Sequence, residues 1–182
     1  GRPMPDLARL NPFKTPEARR LALLFAVVYF AQGMYELPTQ VLTVTMKERF
    51  GLSAGQTATF FLITTLPWFI KPVYGLISDF LPLFRRRRKS YLMLTSGAAA
   101  CTGTLLALAG DHSYWTLAVL MSVMGLGIAF TDVLVDALMV ETGRPRGLTG
   151  AFQSVQWTAI YAASILVGVI GGYFAERRSI HG

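Results

Sequence analysis

The chain has 182 residues, 53% of them hydrophobic and only 15% charged, whereas an ordinary soluble domain carries about 25% charged residues. Its net charge of +7 does not mark a nucleic-acid binder, because the basic residues sit between apolar stretches and not on a soluble face. Cys101 is the single cysteine, which excludes an intrachain disulfide, and neither a zinc-ligand pattern nor a phosphate-cradling glycine loop occurs, so no cofactor and no metal is expected.

The charges gather near the start, in 85–89, in 141–146 and in 176–178, and leave long uncharged windows between them. That distribution predicts an all-α, polytopic membrane helix bundle. Residues 1–19 hold Pro3, Pro5, Pro12 and Pro16 among charges and read as a cytoplasmic tail without a cleavable signal. A first residue other than Met, and a last residue just past an apolar stretch, lead to the expectation of a fragment.

The first span is expected over about 21–44. Gln32 and Glu36 lie four apart on one helical face, and Pro38 should kink the helix. The second span, about 55–80, has Ser53 as its cap and is interrupted by Pro67 and Pro72. A basic loop from Arg85 to Lys89 follows. The third span, about 91–109, is rich in small residues around Gly97, Ala98, Ala99, Ala100 and Gly103, which admit a neighbouring helix closely. The fourth, about 114–140, carries Asp132 and Asp136. The fifth, about 148–174, carries Gln153, Gln156, Trp157 and Tyr161 on about one face, with Gly168 and Gly172 expected at a packing contact. Spans one to five, 20–176, would form part of a six-helix half, and 177–182 would begin the next loop.

Orientation follows from counting Lys and Arg on the two sides. With the tail inside, Arg2, Arg9, Lys14, Arg19, Arg20, the five of 85–89, Arg144 and Arg146 are cytoplasmic; Lys47, Arg49, Arg177 and Arg178 are outside. Twelve against four puts the N-terminus in the cytoplasm.

An ionisable group within a span costs ~2.5–3.5 kcal/mol on insertion scales and so calls for a reason. Glu36, Lys71, Asp132 and Asp136 are such groups. Counting helix rise, Lys71 lies ~15 Å and Asp132 ~13 Å from the cytoplasmic ends of their spans, so the two can meet near the midplane. Two readings stand side by side. Lys71 and Asp132 are a buried pair that keeps two helices in register, or at least one of them handles substrate or proton. Asp136, one turn lower, fits a structural acceptor for the arginine loop. Glu36 sits nearer the outer surface, as a solvated mouth residue or a binding one. Gln153 and Gln156 fit interhelical hydrogen bonding or ligand contact, and Trp68 and Trp157 fit packing or a cavity wall.

The run Gly75-Leu76-Ile77-Ser78-Asp79, followed by Arg86, Arg87 and Arg88 before the next span, resembles the signature between helices two and three of the major facilitator superfamily. The longer run Lys71-Pro72-Val73-Tyr74-Gly75-Leu76-Ile77-Ser78-Asp79 is similar to the folate-biopterin transporter family. So are Tyr29-Phe30-Ala31-Gln32-Gly33 and Asp132-Val133-Leu134-Val135-Asp136 with Glu141. The resemblance implies a twelve-helix transporter of two halves, five of whose helices are present here. It would work by alternating access, with folate- or pterin-like anions moved together with protons in a cell or inner membrane. It places Gln32, Glu36 and Asp132 at or near a central cavity and makes Gly75, Asp79 and the arginines a gating motif. The partners it implies are the lipid bilayer, the anionic substrate, protons and the C-terminal half of the same protein, with no nucleic acid. Two other readings stay open: a superfamily transporter of another solute, and a membrane receptor or scaffold that does not transport. An enzyme is not expected, since His112 and His181 both fall in loops.

Overall fold

The computed structural model describes residues 11–81, 88–108 and 112–180, with the side chains of 175 and 177–180 excepted. Every regular element among them is helical. Seven α-helices follow one another: α1 Pro16–Met34, α2 Glu36–Glu48, α3 Ala54–Phe69, α4 Lys71–Phe80, α5 Lys89–Leu108, α6 Tyr114–Gly143 and α7 Thr149–Ile180. They make five segments long and apolar enough to cross a membrane: Pro16–Glu48, Ala54–Phe80, Lys89–Leu108, Tyr114–Arg146 and Thr149–Phe174. The most apolar window of Tyr114–Arg146 is 56% buried, against 22% or less in the other four, so α6 carries the most enclosed surface. The large side chains Leu66, Phe69, Leu76 and Phe80 stay exposed along α3 and α4. Exposed apolar stripes of this kind suit a hydrocarbon solvent better than water.

Local chemistry sets the ends. Thr15 caps α1 by accepting from the Ala18 N–H at 3.1 Å, and Pro16 takes the first helical position, where no N–H is needed. The first span is interrupted at Tyr35, between α1 and α2. Pro38 has no N–H for the Met34 carbonyl, so the interruption falls one turn before the proline. Ser53 and Gln56 form a reciprocal capping box at the start of α3, with bonds of 2.9 and 3.3 Å. Gly147, at φ 64°, makes the left-handed turn that leads into α7.

The chain forms two compact units. One comprises residues 1–41 and 137–182, the other residues 42–136. In the first, α1 packs along α7. Phe25 meets Phe152 edge-on at 5.0 Å, and Gly33 lies so close to α7 that an added Cβ would fall 2.6 Å from Ala163 Cβ. The contact expected at Gly168 and Gly172 is not found there: a Cβ at either meets nothing within 4 Å among the described residues. The close approach belongs to Gly33 because the face of α7 turned towards α1 is the one carrying Ile160 and Ala163.

In the second unit the same distinction separates two glycines. A Cβ on Gly127 of α6 would stand 2.7 Å from the Thr95 carbonyl oxygen and 3.1 Å from Ala99, whereas Gly97 of α5 faces open space. Gly127→Ala should therefore lower stability in detergent by ~1–3 kcal/mol, the usual range for overpacking. Gly97→Ala should be neutral or gain up to ~1 kcal/mol through helix propensity. Thermal denaturation of the two variants checks this, and equal melting temperatures would remove the close α5–α6 contact from the account.

Candidate functional site: a lysine–aspartate pair at a helix break

The site is built on a discontinuity. Pro67 and Pro72 both lack an amide hydrogen, so two i→i−4 bonds are missing within a few residues. The helix stops at Phe69, Ile70 leaves helical geometry at φ −98° and ψ 16°, and α4 begins at Lys71. The Val73 N–H turns to the Ile70 carbonyl at 3.0 Å, a three-residue step. The Tyr74 hydroxyl donates to the Pro67 carbonyl at 2.8 Å and so satisfies an oxygen next to the break.

Lys71 thus emerges at the first position of α4. Its Nζ donates to Asp132 Oδ2 at 2.5 Å. The same ammonium lies 4.5 Å from the centroid of the Trp68 ring, a cation–π contact from the last turn of α3. Burial is unequal: the Asp132 side chain is 6% exposed and that of Lys71 33%.

Aromatic rings fix the register of α4 against α6. Tyr74 stacks on Phe130 at 4.8 Å and 16°, and Tyr91 of α5 stacks on Phe130 at 5.6 Å and 12°. Tyr91 also donates its hydroxyl to the Leu81 carbonyl at 2.7 Å, just past the end of α4. Beside Asp132, the Thr131 hydroxyl bonds the Thr95 hydroxyl at 2.9 Å and approaches Ser96 at 3.4 Å. Thr95 in turn donates to the Tyr91 carbonyl at 2.9 Å. Two contacts one turn apart on α4, through Lys71 and Tyr74, therefore hold two residues of α6. Tyr74, Tyr91, Phe130, Thr95 and Thr131 were not singled out in the sequence. A tyrosine inside an apolar span needs a partner for its hydroxyl, and that was the available signal for Tyr74 and Tyr91.

The other candidates are placed as follows. Gly75 faces Val133 of α6, with an added Cβ 3.6 Å away, an ordinary contact. Asp79 Oδ1 pairs with Arg88 Nη2 at 3.3 Å in an exposed position. Arg86 and Arg87 lie outside the described residues. Asp136, one turn beyond Asp132, is exposed and engaged in an interaction of its own. In the first unit Glu36 and Gln153 are exposed, and Gln156 is half-buried and engaged. Gln32 buries its Oε1 with no hydrogen-bond partner among the described residues. None of these four lines the ≈ 1060 Å³ groove of that unit, whose walls include Phe13, Val27, Phe30, Ser154 and Thr158. Two hydroxyls and no charge give that groove no counter-charge for an anion. At the same unit's loop, Arg146 Nη2 pairs with Glu17 Oε1 at 2.5 Å, and Arg146 Nη1 donates to the Thr142 carbonyl at 2.7 Å. Among the described residues no cluster of three or more His, Cys, Asp or Glu is placed to hold a metal.

Removing one partner of a buried ion pair typically costs ~3–5 kcal/mol, while removing both can be nearly neutral. With Lys71 a third exposed, the single losses here should fall below that range. Lys71→Met and Asp132→Asn should each destabilise the complete protein in detergent. The double variant should recover, giving a coupling energy well above the ~0.5 kcal/mol expected of independent sites. A double-mutant cycle on thermal stability measures it, and additive losses would argue against a pair.

Comparison with known proteins gives three results. The BT1 family pattern matches residues 32–182. A folate-biopterin transporter of Synechocystis sp. is 34% identical over 163 residues, covering 88% of this chain and 32% of the relative. Probable folate-biopterin transporter 4 of Arabidopsis thaliana is 30% identical over 161 residues, covering 86% and 33%. Folate transporter 2 of Plasmodium falciparum is 26% identical over 153 residues, covering 83% and 33%. The chain thus spans about a third of the length of these relatives, and they carry the names of transporters and not of enzymes, in line with the expectation from the sequence. No solved structure matches. The matched stretch takes in the broken helix, the Lys71–Asp132 pair and all of α7, and by this evidence the chain belongs to the BT1 family of membrane transport proteins.

Proposed function

We propose that this chain is the N-terminal part of a secondary transporter that moves folate- or pterin-like organic anions, together with protons, by alternating access. The observation that carries the reading is the Lys71–Asp132 pair, which sets a cation and a carboxylate together at a helix break within an apolar span. Interrupted membrane helices are where transporters commonly place their substrate and ion sites. A partly exposed ammonium suits an anionic substrate, and a buried carboxylate suits proton traffic. The relatives named above lend the substrate class.

The architecture in this reading is of the major facilitator type, with two six-helix halves. Gln32, Glu36, Gln153 and Gln156 are secondary candidates along the substrate or proton path. The relatives are about three times as long, and the reading assigns the rest of the cavity to helices outside this chain. Gly75, Asp79 and the arginines 86–88 act as the gate: a carboxylate and guanidinium groups form charge-assisted hydrogen bonds that can break and re-form as the cavity changes side.

Uptake of labelled folate and biopterin into transport-deficient cells expressing the complete protein tests the function. An inward proton gradient should accelerate uptake. Asp79→Asn should slow it several-fold while leaving equilibrium folate affinity within a few-fold. Binding without uptake would favour a receptor. Loss of binding in a well-folded Asp79→Asn protein would remove the gating role.

The membrane orientation is part of the proposal, with the N-terminus cytoplasmic. In a Cys101→Ser background, a cysteine replacing Pro145 should resist a membrane-impermeant thiol reagent on intact cells, and one replacing Phe50 should react. The opposite pattern would invert the topology.

A further inference from the structure

The pair is unequal, and the inequality assigns different tasks to its two members. We infer that Lys71 passes from Asp132 to an anionic group of the substrate, and that Asp132 takes up one proton as it does so. This rests on the transporter reading above and concerns how its central site couples ion to substrate.

Approach comes first. A third of the Lys71 side chain is open, and Asp132 is almost closed off. An incoming carboxylate therefore reaches the ammonium and not the aspartate. It is also attracted by the one and repelled by the other. The lysine stem is four carbons long and flexible, so the head can swing without moving the backbone. Trp68 gives it a second favourable contact in the meantime, the ring face 4.5 Å away on the other side of the helix break.

Charge balance then forces the proton. The resting pair sums to zero. When a substrate carboxylate joins the ammonium and the Lys71–Asp132 contact breaks, Asp132 is left as a buried carboxylate without its counter-ion. Such a group takes up a proton sooner than it stays ionised, because burial disfavours the charged form. The proton comes from water and lands on the Oδ2 that Lys71 has left. The site again sums to zero, and no covalent bond is made or broken in the substrate.

The surroundings offer no other cation. On α4, Tyr74 commits its hydroxyl to Pro67, and Asp79 lies two turns on, paired with Arg88. From α5 come the hydroxyls of Thr95 and Ser96, tied to Thr131. On α6 itself Asp136 is a second acidic group one turn away. Among the described residues, the positive group in contact with Asp132 is Lys71.

Calorimetric titration of the complete purified protein, in buffers of differing ionisation enthalpy, counts the protons. Folate carries carboxylates that stay ionised from pH 6 upward, and biopterin carries none. Folate binding to the native protein should take up about one proton, with affinity falling about tenfold per pH unit once Asp132 is ionised in the free protein. Biopterin should bind with almost no proton uptake. Asp132→Asn should bind folate without proton uptake and with a flat pH dependence. Equal proton uptake with both ligands overturns the inference, and that comparison needs no variant. Undiminished uptake in a folded Asp132→Asn protein also overturns it. If neither ligand binds the native protein, the transporter reading falls and takes this inference with it, a result distinct from binding without proton linkage.

Discussion

An ammonium held inside an apolar span must be neutralised, moved to the interface or hydrated, and Lys71 is neutralised. Its contact with Asp132 joins the second and fourth spans at one level, and much of the second unit is arranged so that this contact can form. The break at Ile70 brings the lysine out at the head of α4. The stacked rings of Tyr74, Phe130 and Tyr91 set the register of α4 and α5 against α6. The closeness of α5 to α6 at Gly127 brings the Thr95 and Thr131 hydroxyls together in a buried contact. Each of these would be a cost in isolation: a proline pair, buried hydroxyls, a charge. Together each supplies what another lacks.

Interruption and repair recur along the chain. The prolines remove backbone donors, and side chains answer for the carbonyls nearby. Tyr74 reaches Pro67, and Tyr91 reaches Leu81 beyond the end of α4. In hydrocarbon no water is at hand to do this, so a polar side chain or a tightened turn must. Tyrosine suits the task because its ring packs while its hydroxyl bonds. The result is a broken helix whose two parts remain held, which is the mechanical form a transport cycle needs if Lys71 is to exchange partners.

The first unit is assembled on different terms. Its α1–α7 seam depends on small residues, with Gly33 against Ala163 and Phe25 against Phe152, and its charges sit in the exposed Glu17–Arg146 pair beside the turn at Gly147. Exposed pairs of that kind contribute little to stability in water, at most ~1 kcal/mol. Packing therefore dominates there, while electrostatics dominates around Asp132. The apolar groove along α1 and α7 follows from the same composition: small residues on α7 leave room beside Val27 and Phe30, and nothing in the lining carries charge.

The sequence by itself determined the helical class, the five apolar segments, the cap at Ser53 and the interruption beside Pro72, because each depends on composition or on neighbours a few residues away. It also brought Lys71 and Asp132 to one depth, since depth is a count of residues from a span's end. Which face each helix turns to its neighbour was decided only by the tertiary structure. Gly127 and Gly97 look alike in the sequence, yet one lies against a carbonyl and the other faces open space. Gly33 makes the contact expected of Gly168 and Gly172, and Phe130 gathers two tyrosines that lie 56 and 39 residues away in the sequence. Periodicity in an almost uniformly apolar helix is too weak to fix its rotation, because every face is hydrophobic. Only the few polar and small side chains distinguish one face from another, and their partners lie on other helices.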